Sequence, residues 1–261
     1  MNSMIKTRAW NRSTWTCLAI AGLALWASEV SAQEFGTIKG KLVWGGAEIP
    51  TPQLLAKKGA ATKDPAVCAA VTDLLDHSLL VDPKTKGIKY GVAYLVKPKG
   101  ENPEAVKTLF AKTPIAEIDQ KHCEFLPFLL AVHQDQQVLF KSSDPVNHNI
   151  RMTPFTNAQF NVILPAKGSL TKQFVAERRA IPLACDIHPW MKGYLMVFDH
   201  PFFAVTGEDG SFEIKGVPAG EQKLVIWQPH KGYVTEGRAL GMTVTVKAGA
   251  ATDIGEITMQ P

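Results

Sequence analysis

Cys185-Asp186-Ile187-His188-Pro189-Trp190-Met191 is flanked by two short apolar runs, Ile181–Ala184 before it and Tyr194–Phe198 after Lys192-Gly193. The flanking runs read as strands and the stretch between them as a loop, with Pro189 restricting its conformations. The loop carries a thiol, an imidazole three residues on and a thioether three further, so donors of graded softness fall within seven residues. A fourth donor is expected from a neighbouring strand end. His148, in Asp144-Pro145-Val146-Asn147-His148-Asn149-Ile150, stands at such a place. Two imidazoles and a thiolate with a weak thioether form the set that tunes copper for electron transfer. Structural zinc takes four strong donors and catalytic zinc keeps water in place of a thioether, so the donor types favour one copper ion on His148, Cys185, His188 and Met191.

Outward from this loop the chain keeps a β rhythm. Residues 36–44 alternate with period two and stop at Gly45-Gly46. Short apolar runs follow at Ser78–Val81, Val92–Val96, Leu129–Val132, Gln137–Lys141, Asn149–Thr153 and Thr171–Val175, separated by Gly, Pro, Asn and Asp. That spacing predicts an all-β sandwich or barrel of antiparallel strands. One helix is expected, from Asp64 to about Leu75, because Asp64-Pro65 places an acid at the N-cap and Pro at the first helical position. A second unit of short strands is expected from Pro201 onward, with turns at Glu208-Asp209-Gly210 and Pro218-Ala219-Gly220. The predicted organisation is residues 1–32, 33–200 and 201–261.

Residues 1–32 have the composition of an export signal: Lys6, Arg8 and Arg12 precede the apolar run Cys17–Ala27, and Val30-Ser31-Ala32 precedes Gln33. The apolar run is about half the ~20 residues of a spanning helix, which argues against an anchor. Cys17 lacks the small neighbours of a lipidation site. A periplasmic or secreted destination follows as an expectation, and removal of the segment leaves 25 basic against 23 acidic residues. Such a balance, with no run of like charge, gives no support to nucleic-acid binding or polybasic membrane attachment. Of the 4 cysteines, Cys17 belongs to the signal. Three remain, an odd number for an oxidising compartment, so one is set apart. Cys68 and Cys123 have no neighbouring ligand spacing, and a bridge between them would be worth ~3–4 kcal/mol in the chain-entropy model. The expected disulfide is therefore Cys68–Cys123, against another pairing or three reduced thiols.

Cys185 to Gly193 reads Cys-x-x-His-Pro-aromatic-Met-basic-Gly, and with His148-Asn149-Ile150 it resembles the ligand segments of the cupredoxin family, most closely the amicyanin loop. Residues 34–200 also resemble a group of exported cupredoxin-like proteins called methylamine-utilisation-like. The resemblance implies a Greek-key sandwich in which His148 and His188 bind through imidazole nitrogen, Cys185 through thiolate and Met191 axially. It further implies that Asn149 ties the two ligand segments together by hydrogen bonds, and that the outer edge of His188, ringed by Pro189 and Trp190, is the electron port. Asp186-Ile187 departs from the Thr-Pro or Ser-Pro that often follows the ligand Cys in that family. Pro127-Phe128 falls where some relatives carry a further His, which argues against a fifth ligand. The C-terminal stretches Thr206–Phe212 and Gly216–Gly220 resemble the carboxypeptidase regulatory-like domain, a small prealbumin-like sandwich that serves as a spacer or as a carbohydrate- or protein-binding module. The acids of its first turn are expected to set the turn rather than to bind calcium, since the alternating oxygen series is absent.

These readings predict an electron carrier, not an enzyme, exchanging electrons with another redox protein. No Gly-rich phosphate loop or nucleophile–base motif stands in the chain. Two other readings remain: a surface binding or scaffold module, and a copper-delivery protein. His77, His122, His133, His200 and His230 show no pairing at metal-ligand spacing.

Overall fold

The computed structural model describes residues 34–261; the expected export signal and Cys17 lie outside them. Strands dominate, and the only α-helix among the described residues is Pro103–Lys112.

Two sheets enclose the first core. One has the order Ser169–Gln173, Gln137–Ser142, Ile115–Lys121, Glu124–Leu126, and the other Phe160–Leu164, His148–Met152, Ile181–Ala184, Lys192–Phe198, Leu129–His133. Alternation dictates which side chains turn inward: Ala116, Ile118, Val138 and Phe140 from the first sheet meet Ile150, Met152, Ile181, Leu183, Leu195 and Val197 from the second. Each large apolar side chain so buried contributes on the order of 1.5–3 kcal/mol before chain entropy is counted. The sheets are mixed. Gln137–Ser142 runs parallel to Ile115–Lys121, and Lys192–Phe198 parallel to Leu129–His133, where antiparallel strands were expected. The cause is that the chain passes between the sheets, as from Leu129–His133 to Gln137–Ser142 to His148–Met152, instead of returning along one sheet.

The second core lies between the sheet Ser211–Pro218, Phe35–Trp44, Ala251–Met259 and the sheet built on Phe203–Val205, Val92–Leu95 and Gly220–Gln228, with Met242–Val246 also paired to the last. The expected boundary near Pro201 therefore does not separate the two cores. Phe35–Trp44 pairs with Ser211–Pro218 on one side and Ala251–Met259 on the other, and Val92–Leu95 lies between Phe203–Val205 and Gly220–Gln228. The second sandwich is completed by strands from the start of the described chain. A third apolar cluster of Val92, Phe128, Leu129, Met196 and Phe198 joins strands of both sandwiches.

Asp64 to Leu75 is not helical. Cys68 N–H closes one turn onto Asp64 O at 2.8 Å, but Ala69 takes φ +54° and Cys68 is bridged to Cys123, so the turn does not propagate. The helix forms instead at Asn102-Pro103-Glu104, where the Asn102 side chain accepts from Ala105 N–H at 3.1 Å and Pro103 begins the helix. Asn102 Nδ2 also donates to Gly216 O at 2.8 Å, pinning the helix to a strand of the second sandwich. At the Glu208-Asp209-Gly210 turn, Asp209 Oδ1 accepts from Ser211 N–H and Oγ, and Gly210 takes φ +78°. The strands on either side of it pair with other strands and do not form a hairpin together.

Candidate metal centre

His148 opens the strand His148–Met152, which pairs antiparallel with Ile181–Ala184 through Arg151 opposite Ala184 and Met152 opposite Leu183. Continuing that register by one residue brings Cys185 opposite Ile150, so the loop after Ala184 begins beside His148. The three nearest donors meet there. Cys185 Sγ lies 3.7 Å from His188 Nδ1 and 4.0 Å from His148 Nδ1, and the two Nδ1 atoms are 3.0 Å apart. His148 and His188 have no solvent exposure and Cys185 has 2 %. Met191 is buried in the same core as Cys185, and its N–H donates to His188 O at 2.9 Å.

Asn149 closes the join between strand and loop. Its N–H donates to Cys185 Sγ at 3.4 Å, and its side-chain oxygen accepts from Asp186 N–H at 2.5 Å and Ile187 N–H at 3.3 Å. Asp186 is itself held by Arg151 Nε at 2.7 Å and Asn161 Nδ2 at 2.8 Å, which keep its carboxyl below the usual carboxylate range. Cys68 and Cys123 form the disulfide, and Cys185 is the free thiol among the described residues.

Each histidine has a carboxylate on its outer nitrogen. Asp144 Oδ2 lies 2.9 Å from His148 Nε2, and Asp64 Oδ2 lies 2.9 Å from His188 Nε2. A carboxylate accepts, so each Nε2 carries a proton and Nδ1 is the atom left to face inward. Asp144 is tied in turn by His122 N–H and Cys123 N–H, both at 2.8 Å. Burial works to raise its carboxyl, but His148 and the two amides outweigh it and hold the pKa low. Burial likewise pulls His148 down, yet its hydrogen bonds to Asp144 and Cys185 lift it to about 9. The Cys185 thiol is raised by burial and lowered more by its hydrogen bonds with His148 and the Asn149 amide, ending at about 6. Thiolate and imidazolium are thus the favoured partners at neutral pH.

No protein-family model matches the chain, and no curated protein matches it. Among solved structures, the copper-containing nitrite reductase of Thermus scotoductus SA-01 aligns at 19 % identity and TM-score 0.30, over 32 % of this chain and 22 % of its own. A reduced Cu(I) form of an amicyanin variant aligns at 17 % identity and TM-score 0.30, over 32 % of this chain and 82 % of its own. The purple cupredoxin of Nitrosopumilus maritimus aligns at 22 % identity and TM-score 0.28, over 32 % of this chain and 99 % of its own. The aligned part spans about a fifth of the nitrite reductase.

The donor set fits copper on this chain's own geometry: two inward imidazole nitrogens and one thiolate share a buried cluster, with the outer imidazole nitrogens held by carboxylates. One expectation needs correction. His188 is not an open edge, since it is fully buried beneath Asp64, with the Trp190 ring centroid 5.4 Å from its own. Trp190 is fixed by donation from Nε1 to Cys123 O at 3.2 Å and is partly buried. Asp144 and Asp64 were not singled out as site residues. Asp144 sits four residues before His148 and could have been noticed there. Asp64 is 124 residues from His188, and no local pattern links them. Of the other histidines, His77 lies against Glu124 at 3.5 Å and His200 Nε2 against Leu95 O at 3.0 Å.

Proposed function

We propose that this chain is an exported copper protein that carries single electrons between redox proteins. His148 and His188 would hold the ion through imidazole nitrogen, Cys185 through its thiolate and Met191 through its thioether. The observation that carries the reading is the convergence of Cys185 Sγ and the two Nδ1 atoms within 4.0 Å in a buried cluster. Copper bound there would supply a one-electron Cu(II)/Cu(I) couple.

The remaining contributions come from the chain. Asn149 N–H donates to the sulfur and favours its thiolate. Asp144 and Asp64 fix the rings through their outer nitrogens, and the sandwich holds the strand and loop in register, so little rearrangement accompanies a change of charge. Burial keeps water from the donors. It also disfavours copper delivery, because a delivery site has to hand its ion to a partner, and both imidazoles here are inaccessible. On this reading the protein acts as an electron carrier rather than as an enzyme. The partly buried Trp190, which abuts His188, gives a covered path toward the surface for exchange with a redox protein. A periplasmic or secreted location follows from the basic and apolar leader, and the second sandwich is left for carbohydrate or protein contact. The test is addition of Cu(II) to the purified protein: an intense visible sulfur-to-copper band that disappears in Cys185→Ser supports the reading, and a colourless protein supports a scaffold role.

A further inference from the structure

Asp64 is placed by a cross-link rather than by a sheet. It lies in a turn at φ +46° between the short strands Leu54–Ala56 and Leu74–Leu75, and its carbonyl accepts from Val67 N–H at 2.9 Å and Cys68 N–H at 2.8 Å. Cys68 is bonded to Cys123, and Cys123 N–H donates to Asp144 Oδ2. The carboxylates that hold the outer nitrogens of His188 and His148 are thus attached to opposite ends of one disulfide. The sulfurs of that disulfide and a His188 nitrogen lie within 4.8 Å of one another. The Asp64 side chain is 34 % exposed while the His188 side chain is 0 % exposed, so the carboxylate stands between imidazole and solvent.

We infer that Asp64 is a positioning residue that caps His188, and that the Cys68–Cys123 disulfide is the latch that keeps the cap closed. The inference rests on the metal-centre reading and adds to it what controls exchange of the ion. The carboxylate accepts the His188 Nε2 proton, which fixes the tautomer with a bare Nδ1 aimed at Cys185 Sγ and His148 Nδ1. Without the cap, the outer nitrogen turns to water and the ring gains a second orientation. The segment carrying Asp64 has no long strand to anchor it, so the disulfide supplies the tether.

The test begins with the metal-free full chain, in which nitrogen NMR of the imidazoles reads the tautomer. The native protein is expected to show His188 protonated at Nε2, with that proton exchanging slowly with water. In Asp64→Ala the preference is lost and exchange accelerates, and transfer of bound copper to a chelator speeds up by about 10- to 100-fold, the usual cost of losing an outer partner of a ligand. Asp64→Asn, which keeps shape and an acceptor oxygen, falls between. A Cys68→Ser/Cys123→Ser double variant is expected to match Asp64→Ala, and adding Asp64→Ala to it changes transfer little further. If the double variant does not fold, chemical reduction of the native protein with a phosphine reads the same transfer rate. A native His188 protonated at Nδ1, or unchanged transfer in Asp64→Ala, overturns the cap, and unchanged transfer after loss of the disulfide overturns the latch. Failure of the native protein to bind copper would instead overturn the metal-centre reading, since the tautomer is measured without metal.

Discussion

The Nδ1 atoms of His148 and His188 face each other at 3.0 Å, so one of them holds a proton and the other a lone pair. Since His148 is lifted to about 9, the proton belongs to its Nδ1, and His188 accepts. With Cys185 lowered to about 6, the metal-free cluster is an imidazolium beside a thiolate. A proton therefore occupies the ground between the donors that a cation would take.

That placement gives a proton count. Copper binding at about pH 7.5 is expected to release about one proton, from His148, and the number rises by about one more below pH ~6, where the thiolate is protonated in the metal-free state. Calorimetry in buffers of differing ionisation enthalpy measures it. Release of no proton near neutrality would contradict the assignment.

Met191 is buried in the loop that carries Cys185 and His188, and leucine matches it closely in volume. If Met191 is a copper ligand, Met191→Leu is expected to keep copper and raise the reduction potential, because losing a donor costs the more highly charged Cu(II) more than Cu(I). Voltammetry reads the shift, and complete loss of copper would argue against a weak-donor role for Met191.

The Cys185–His188 part of the cluster was readable in the sequence because the two residues lie three apart in one loop, and the flanking strand Ile181–Ala184 has the bounds its apolar run suggests. What escaped was non-local. The Asp-Pro signal at Asp64 and the Asn-Pro signal at Asn102 look alike, yet only the second starts a helix, because the first is stopped by a bridged Cys68 and a left-handed Ala69. The strand Ile115–Lys121 went unnoticed because its inward positions are Ala116, Ile118 and Gln120, a weak apolar alternation. Phe35–Trp44 was visible as a strand but not as a partner of Ala251–Met259, more than 200 residues later. Pairing over that distance leaves no local mark.

Glu124 supplies a pH-dependent prediction. Burial pushes its carboxyl up to about 7, and the folded protein therefore holds this proton more tightly than the unfolded chain, whose value is 4.5. The sign is that stability is lost as pH rises from about 4.5 through about 7. Glu124→Gln removes that loss, so the variant is expected to be more stable than the parent by about 1–2 kcal/mol at pH ~8, after allowance for screening, and nearly equal at pH ~4. Thermal unfolding at the two pH values checks it, and an equal effect at both would refute the burial cause.

Asn102→Ala removes the helix cap and the bond to Gly216 together. The expected cost is about 1–2 kcal/mol in urea unfolding, with a smaller loss for Asn102→Asp, which keeps the cap oxygen. Equal losses in the two variants would place the stabilisation in the Gly216 bond alone.

The most direct measurement is the visible absorption of the full chain titrated with Cu(II), alongside Cys185→Ser. The predicted result is one intense sulfur-to-copper charge-transfer band that saturates at about one ion per chain and is absent from the serine variant. A colourless native protein, or a band that survives the substitution, would contradict a copper centre on Cys185.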